Sequence, residues 1–380
     1  MGHTALQVQA EGLGAARVSE YRGATTAARF SEPQAEFSAL RQSCGVYDLG
    51  YRAKISLTGA DRVRWLNGMV TNNIRDLAAG RGVYAFLLNP QGKILGDLYA
   101  YNRGEAITVD TDCAQVEKIL ATFDHYIIMD DVEVTNLSEQ LTALGIAGPK
   151  SREVLTAVGF EVPELEALQT QAAPWHGIEG TLAHGEGSQG DSQGGSENDS
   201  YEIWLAPANV RQLWDALLAA GAKPVGSEAV ELQRIVSGVP LYGVDIHERD
   251  LPQETEQARA LNFNKGCYVG QEIVERIRSR GAVHRKFTGF VLDGAEHIPA
   301  GTKIVVHDKG NNKEVGEITS SASMRMAGGE RTVALGYIRR EVGIPGKEVG
   351  IGPAKATVVQ LPIEEAALSV TENTFHQISS

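Results

Sequence analysis

The pattern of this chain changes once, near residues 281–286, and that change sets what it can fold into. Before it, helical and strand spacings alternate. Lys54–Gly59 alternates apolar and polar residues up to a glycine, and after Asp61 the residues Val63, Leu66 and Val70 share one helical face. From Phe287 onward only short strand-like runs remain, at 287–292, 303–306, 315–320, 333–338 and 356–359, split by Gly and Pro. The first pattern specifies a mixed α+β domain and the second a small β-barrel or sandwich. No Gly-x-Gly-x-x-Gly follows a first strand, which argues against a nicotinamide-binding Rossmann domain.

At 380 residues the chain exceeds what one core usually supports, so more than one domain is expected. Residues 1–27 are rich in Ala, Gly and small polar types and are expected to be poorly ordered. The α+β region then covers 28–283, the β-barrel 284–365 and a tail 366–380. Within the first region, 185–200 is a run of Gly, Ser, Gln, Asp and Glu with no apolar residue, which predicts a flexible loop. A net charge of −13 disfavours direct nucleic-acid binding, because that affinity comes from clustered Lys and Arg. No stretch of about 18 apolar residues predicts a membrane span, and Cys44, Cys113 and Cys267 are too few and too scattered for a disulfide framework. A cytoplasmic protein is expected.

Gly82–Tyr101 reads as a hairpin turning at Pro90-Gln91-Gly92, with Asp97 inside its second strand. Period-2 alternation lets that carboxylate face solvent or a pocket. Glu202, in the short strand Tyr201–Leu205, is open in the same way: an edge-strand surface carboxylate, or an acceptor for paired N–H donors. The third feature is Asn264–Glu272, where Cys267 stands between Gly266 and Gly270 beside Lys265. A helix starting near Gly270 would point its positive end at the thiol, and with Lys265 would favour the thiolate. An inert buried cysteine is the alternative. Arg276, Arg278 and Arg280 share one face if their segment is extended, and with His284, Arg285 and Lys286 would form a basic stripe. His247, Glu248 and Asp250 read as loop charges rather than a metal site.

Lys265-Gly266-Cys267-Tyr268-Val269-Gly270-Gln271-Glu272 resembles the signature octapeptide of the YgfZ-type folate-binding proteins, relatives of the glycine cleavage T-protein (aminomethyltransferase). The hairpin's Gly-Asp-Leu segment and Pro240–Ile246 are similar to T-protein stretches. The resemblance implies two interlocked ferredoxin-like units around a central channel, with a C-terminal barrel, and tetrahydrofolate as cofactor. It implies Asp97 as the folate-proximal carboxylate, Tyr84 as its aromatic neighbour and Glu202 as pterin anchor. Cys267 becomes the branch's thiol, with Lys265, Tyr268, Gln271 and Glu272 shaping its surroundings. Two departures, Val230 where T-proteins carry an arginine and the 185–200 run in place of a Gly-Tyr-Thr-Gly-Glu loop, point away from glycine cleavage. The expected function is therefore folate-dependent support of iron–sulfur enzymes, in contact with iron–sulfur proteins or their assembly machinery and linked to tRNA modification. Aminomethyl transfer to tetrahydrofolate is the alternative.

Overall fold

The computed structural model describes residues 2–186, 199–281, 283–294, 297–308, 311–326 and 329–363. Most of the loop expected at 185–200 and all of the tail expected at 366–380 lie outside the described residues. The chain divides into two compact units, one of residues 1–231 and 257–275, the other of 232–256 and 276–380.

The first unit holds two sheets of related topology. In one, strand Arg52–Thr58 is followed by helix Arg62–Met69, strands Ile94–Asn102 and Ile107–Asp112, helix Val116–Tyr126 and strand Glu133–Asn136. This βαββαβ order, with every pairing antiparallel and Arg52–Thr58 between Ile107–Asp112 and Glu133–Asn136, is a ferredoxin-like unit; Gly82–Leu88 adds an edge strand. The second sheet repeats the order with Thr142–Ala147, helix Ser151–Ala157, Gly180–His184, Ser200–Leu205, helix Val210–Ala219 and Lys223–Val225. Strand Gly45–Asp48 is inserted into this second sheet, antiparallel to Thr142–Ala147 and parallel to Lys223–Val225. Only Leu49, Gly50 and Tyr51 separate it from the first strand of the other sheet, so the two halves interlock.

Residues 2–27 are ordered, against the expectation from composition. Gly2–His3, Arg17–Tyr21 and Ala24–Arg29 form a three-stranded sheet. Its small side chains, Ala24, Ala27 and Ala28, are buried, and the Thr4 and Thr26 hydroxyls both donate to the buried Asp48 carboxylate. Order here comes from strand pairing and anchoring to a buried acid, which leave no helical or long alternating pattern to read. The apolar run at 127–129 forms no strand; it follows the end of the Val116–Tyr126 helix and leaves Ile128 and Met129 exposed before Glu133–Asn136 begins.

In the second unit, Arg285–Asp293, Gly329–Arg339, Asn311–Met326, Lys303–Asp308, Glu348–Ile351 and Ala354–Val359 close into a six-stranded barrel, in that order. The unit also takes in Leu232–Glu256, which sequence pattern assigned to the α+β region. The reason is Asp245 of the Pro240–Ile246 stretch. Fully buried, it accepts from Leu241 N at 2.9 Å, from Arg234 Nη1 at 2.6 Å, from Ser320 Oγ at 2.7 Å and from the Thr319 hydroxyl. The arginine of this network, Arg234, lies one helical turn after Val230 in helix Ser227–Val236. Asp250, read as a loop charge, is also buried and pairs with Arg285 at 2.5 Å, which takes Arg285 out of the expected basic stripe. Arg276, Arg278 and Arg280 lie on the helix Gln271–Arg280, so they do not share one face.

Removing one partner of a buried pair strands the other charge, at a cost of about 3 to 5 kcal/mol. Asp245→Ala is therefore expected to lower the stability of the second unit by about that amount in a denaturant titration. A wild-type midpoint would show that the network does not hold Leu232–Glu256 to the barrel.

Candidate functional site

Asp97 is half-buried on the Ile94–Asn102 strand, facing inward rather than to solvent. The Tyr84 hydroxyl of the neighbouring hairpin strand donates to its Oδ2 at 2.6 Å, and Gln115 Nε2 donates to its Oδ1 at 2.7 Å. Gln115 Oε1 accepts from Asp97 N at 3.0 Å, and Thr111 donates to the Asp97 carbonyl, so both carboxylate and backbone are fixed. Burial pushes the Asp97 carboxyl above its ordinary range, and nearby Asp112 adds to this, while the bonds from Tyr84 and Gln115 and the charge of Arg52 work against it.

From Tyr84 a row of aromatic rings runs into the second sheet. Tyr84 lies 5.0 Å from Tyr99, Tyr99 stacks on Tyr101 at 6.4 Å, and Tyr101 meets Trp204 edge-on at 5.0 Å. Trp204 Nε1 donates to Glu202 Oε2 at 2.8 Å. Asp97 and Glu202, 105 positions apart in the chain, thus stand on one continuous aromatic wall. Neighbouring positions are small: Glu202 is paired across the strands with Gly145 and Ala183, and a side chain at Gly145 would collide with the Tyr47 ring.

Beneath the wall lies a buried charge cluster that sequence reading did not identify. Lys54 Nζ is 3.0 Å from Asp110 Oδ2, and Arg52 reaches Asp110 at 2.9 Å and Asp112 at 2.6 Å. Lys54 is 0% and Asp110 1% exposed. Both strands looked like ordinary alternating strands; the signal was Asp110 and Asp112 two apart in Ile107–Asp112, directly opposite Lys54 and Arg52 in the register. Arg259 was also missed. Its guanidinium sits 4.3 Å over the Tyr84 ring and pairs with Glu186, while Nη2 is buried with no hydrogen-bond partner among the described residues. It lies in a short 3-10 turn with no periodic pattern.

The octapeptide belongs to a separate set of contacts. Lys265 Nζ donates to the carbonyls of Asn67, Val70 and Asn72 at 2.6, 2.6 and 2.7 Å, closing the C-terminal end of the Arg62–Met69 helix. Burial, with Arg75 adding to it, lowers the Lys265 ammonium to about 7. The charge expected to act on the thiol is thus spent on orphan helix carbonyls. Val269 N donates to Gly68 O at 3.0 Å. Gly270, at φ +82°, passes so close to the hairpin turn that an added Cβ would lie 2.6 Å from Asn89 O. Tyr268 is buried under the Lys265 ammonium, Gln271 opens the following helix, and Glu272 in its first turn is exposed. Cys267 faces outward, exposed at the N-terminal side of that helix. Asp97 and Tyr84 are thus directly bonded and the aromatic row links them to Glu202, while Gly270 packs against the turn of the Asp97 hairpin and Lys265 closes the Arg62–Met69 helix.

Residues 5–265 match the GCVT N-terminal domain. The chain belongs to the GCVT family. It is 30% identical over 94% of its length to an aminomethyltransferase of Rubrobacter xylanophilus, covering 93% of that protein. It is 27% identical over 96% to one of Herpetosiphon aurantiacus, covering 99% of it. Its fold is that of the glycine cleavage system aminomethyltransferase T of Bartonella henselae, with a TM-score of 0.82 at 22% identity over 96% of this chain and 98% of that one. These relatives overturn the expectation of an iron–sulfur support factor. They are named for aminomethyl transfer across nearly the whole chain, and nothing in them points to iron–sulfur partners or tRNA modification. That expectation rests on one octapeptide and two local departures, against relatives that match nearly the whole chain. Among the described residues, no helix is long and apolar enough to cross a membrane.

Two outcomes follow. Lys265→Met leaves three carbonyls without their donor and should cost about 1 to 3 kcal/mol in thermal or denaturant unfolding; an unchanged stability would refute the capping role. In the native protein one thiol, Cys267, should react rapidly with a maleimide. Cys44 and Cys113, each pushed up to about 11 by burial, should react only after unfolding.

Proposed function

We propose that this chain is an aminomethyltransferase that moves a one-carbon unit from an aminomethylated carrier thiol to tetrahydrofolate. The observation that carries the reading is the placing of Asp97 and Glu202 on one aromatic wall. The residues fit a reduced pterin. A carboxylate offers about four acceptor sites, and Trp204 fills one of those on Glu202, which leaves room for the paired N–H donors of a pterin ring. The Tyr84–Trp204 row supplies the flat apolar faces such a ring needs.

Tetrahydrofolate held there would take up the methylene carbon at N5, its N5 proton going to the amine that departs as ammonia, and bonding of that carbon to the second folate nitrogen, whose proton goes to sulfur, would free the carrier thiol. Positive charge develops on the pterin side as N5 attacks. Asp97, locked by Tyr84 and Gln115 so that it need not reorient, stabilises that charge in its ionised form. Arg259 holds the Tyr84 ring from its other side. We take the likeness of Lys265–Glu272 to the YgfZ type as a local one within this activity, supported by the outward-facing Cys267.

The test is release of ammonia from protein, tetrahydrofolate and aminomethylated lipoyl carrier. Asp97→Asn should lower kcat by about 10²- to 10³-fold, the cost of losing one preorganised electrostatic group. Glu202→Ala should weaken folate binding by about 1 to 3 kcal/mol, the cost of stranding buried donors. Because the Asp97 carboxyl is raised and its ionised form is the active one, the rate should climb with pH through a limb above the ordinary carboxylate range. No ammonia above background from the wild type would overturn the reading.

A further inference from the structure

We propose that Lys54 is a positioning residue for the pterin anchor, keeping Glu202 in its charged, acceptor-only form through Trp204. This deepens the folate reading of the same site and rests on it.

Lys54 enters the seam between the two sheets from the strand Arg52–Thr58, and its ammonium is completely buried. One side meets Asp110, directly opposite in the register, at 3.0 Å. The other side lies 5.0 Å from the centre of the Trp204 ring, whose Nε1–H points to Glu202 Oε2. Asp110, Lys54, Trp204 and Glu202 therefore form a relay that crosses from the first sheet to the second. A cation against an indole face draws on the ring's π density. That polarises the N–H on the ring's edge and strengthens its bond to an anionic acceptor.

The carboxylate needs this help. Burial raises the Glu202 carboxyl, and Asp110 raises it further; Lys54, the Trp204 hydrogen bond and Arg52 act in the opposite direction. From the adjoining strands Tyr47 and Tyr101 also face it, both neutral because their own ionisation is pushed upward by burial and by Glu202 itself. Lys54 and Arg52 are thus the cations opposing Asp110. Arg52 is shared with Asp112, whereas Lys54 is committed to this relay. A protonated Glu202 would present a donor to one of the pterin's donors and lose the pair of bonds that recognises it.

The experiment measures binding of 5-formyltetrahydrofolate, whose N5 is blocked from protonation, across neutral and mildly acidic and basic pH. Lys54→Met should shift the pH at which affinity is half-maximal upward by about one unit, equal to about a tenfold deficit on the acidic side that closes as pH rises. Lys54→Arg, which keeps the charge, should recover most of the shift. The double change Lys54→Met with Asp110→Asn, which removes the opposing carboxylate as well, should move the midpoint back down. Trp204→Phe, which keeps an aromatic face and drops the N–H, should shift the midpoint in the same upward direction and stands in if Lys54→Met does not fold. A loss of affinity by the same factor at every pH, in both Lys54→Met and Trp204→Phe, would mean a merely structural role and overturn the proposal. Wild-type protein that binds no folate at any pH, or Glu202→Gln that binds as tightly as wild type, would bring down the folate reading and this inference with it.

Discussion

The site depends on a group of charges that water does not reach. Lys54 and Arg52 on one strand face Asp110 and Asp112 on the next; Lys54, Asp110 and Asp112 are buried, and 11% of the Arg52 side chain remains exposed. Such a cluster persists only when each member is paired, because an isolated buried ion costs several kcal/mol. The pairing fixes the register of the two central strands. The register in turn sets the hairpin beside them, and so the side chains of Asp97 and the tyrosine row. A site meant to recognise a polar, flat ring needs this rigidity, since its binding groups must be held without reorganising.

The parts of the fold that could be read from sequence are those with regular spacing. The hairpin at 82–101, the helix after Asp61 and the strands beyond Phe287 all follow hydrophobic period and turn residues. The ordered N-terminal sheet could not be read this way. Its central strand, Ala24–Arg29, is built largely from Ala and Thr, and the Thr4 and Thr26 hydroxyls tie the sheet to Asp48, 44 and 22 positions away. The insertion of Gly45–Asp48 into the second sheet is likewise a tertiary fact with no local mark.

The site shows the same division. Asp97 and Glu202 stand out because each interrupts an apolar strand with an acid, but spacing leaves both open between solvent and pocket, and only the family resemblance gives them a role. Lys54 and Arg259 were invisible because a cation on a strand or in a short turn is unremarkable until its partner is known. Lys265 was named for the wrong work. Beside a cysteine in sequence it read as a charge acting on the thiol, but its long stem reaches back nearly two hundred residues to close a helix. Adjacency in sequence says little about where a flexible side chain delivers its charge.

The inserted strand has a consequence for how the molecule comes into being. Gly45–Asp48 is synthesised before either ferredoxin-like sheet, yet both of its neighbours, Thr142–Ala147 and Lys223–Val225, emerge from the ribosome long afterward. The first sheet can close as soon as residue 136 is available, while the second must wait for the far end of its chain with one strand already committed. The second half cannot be cut away without the strand that precedes the first, and this non-local closure makes the second sheet the slow step of assembly.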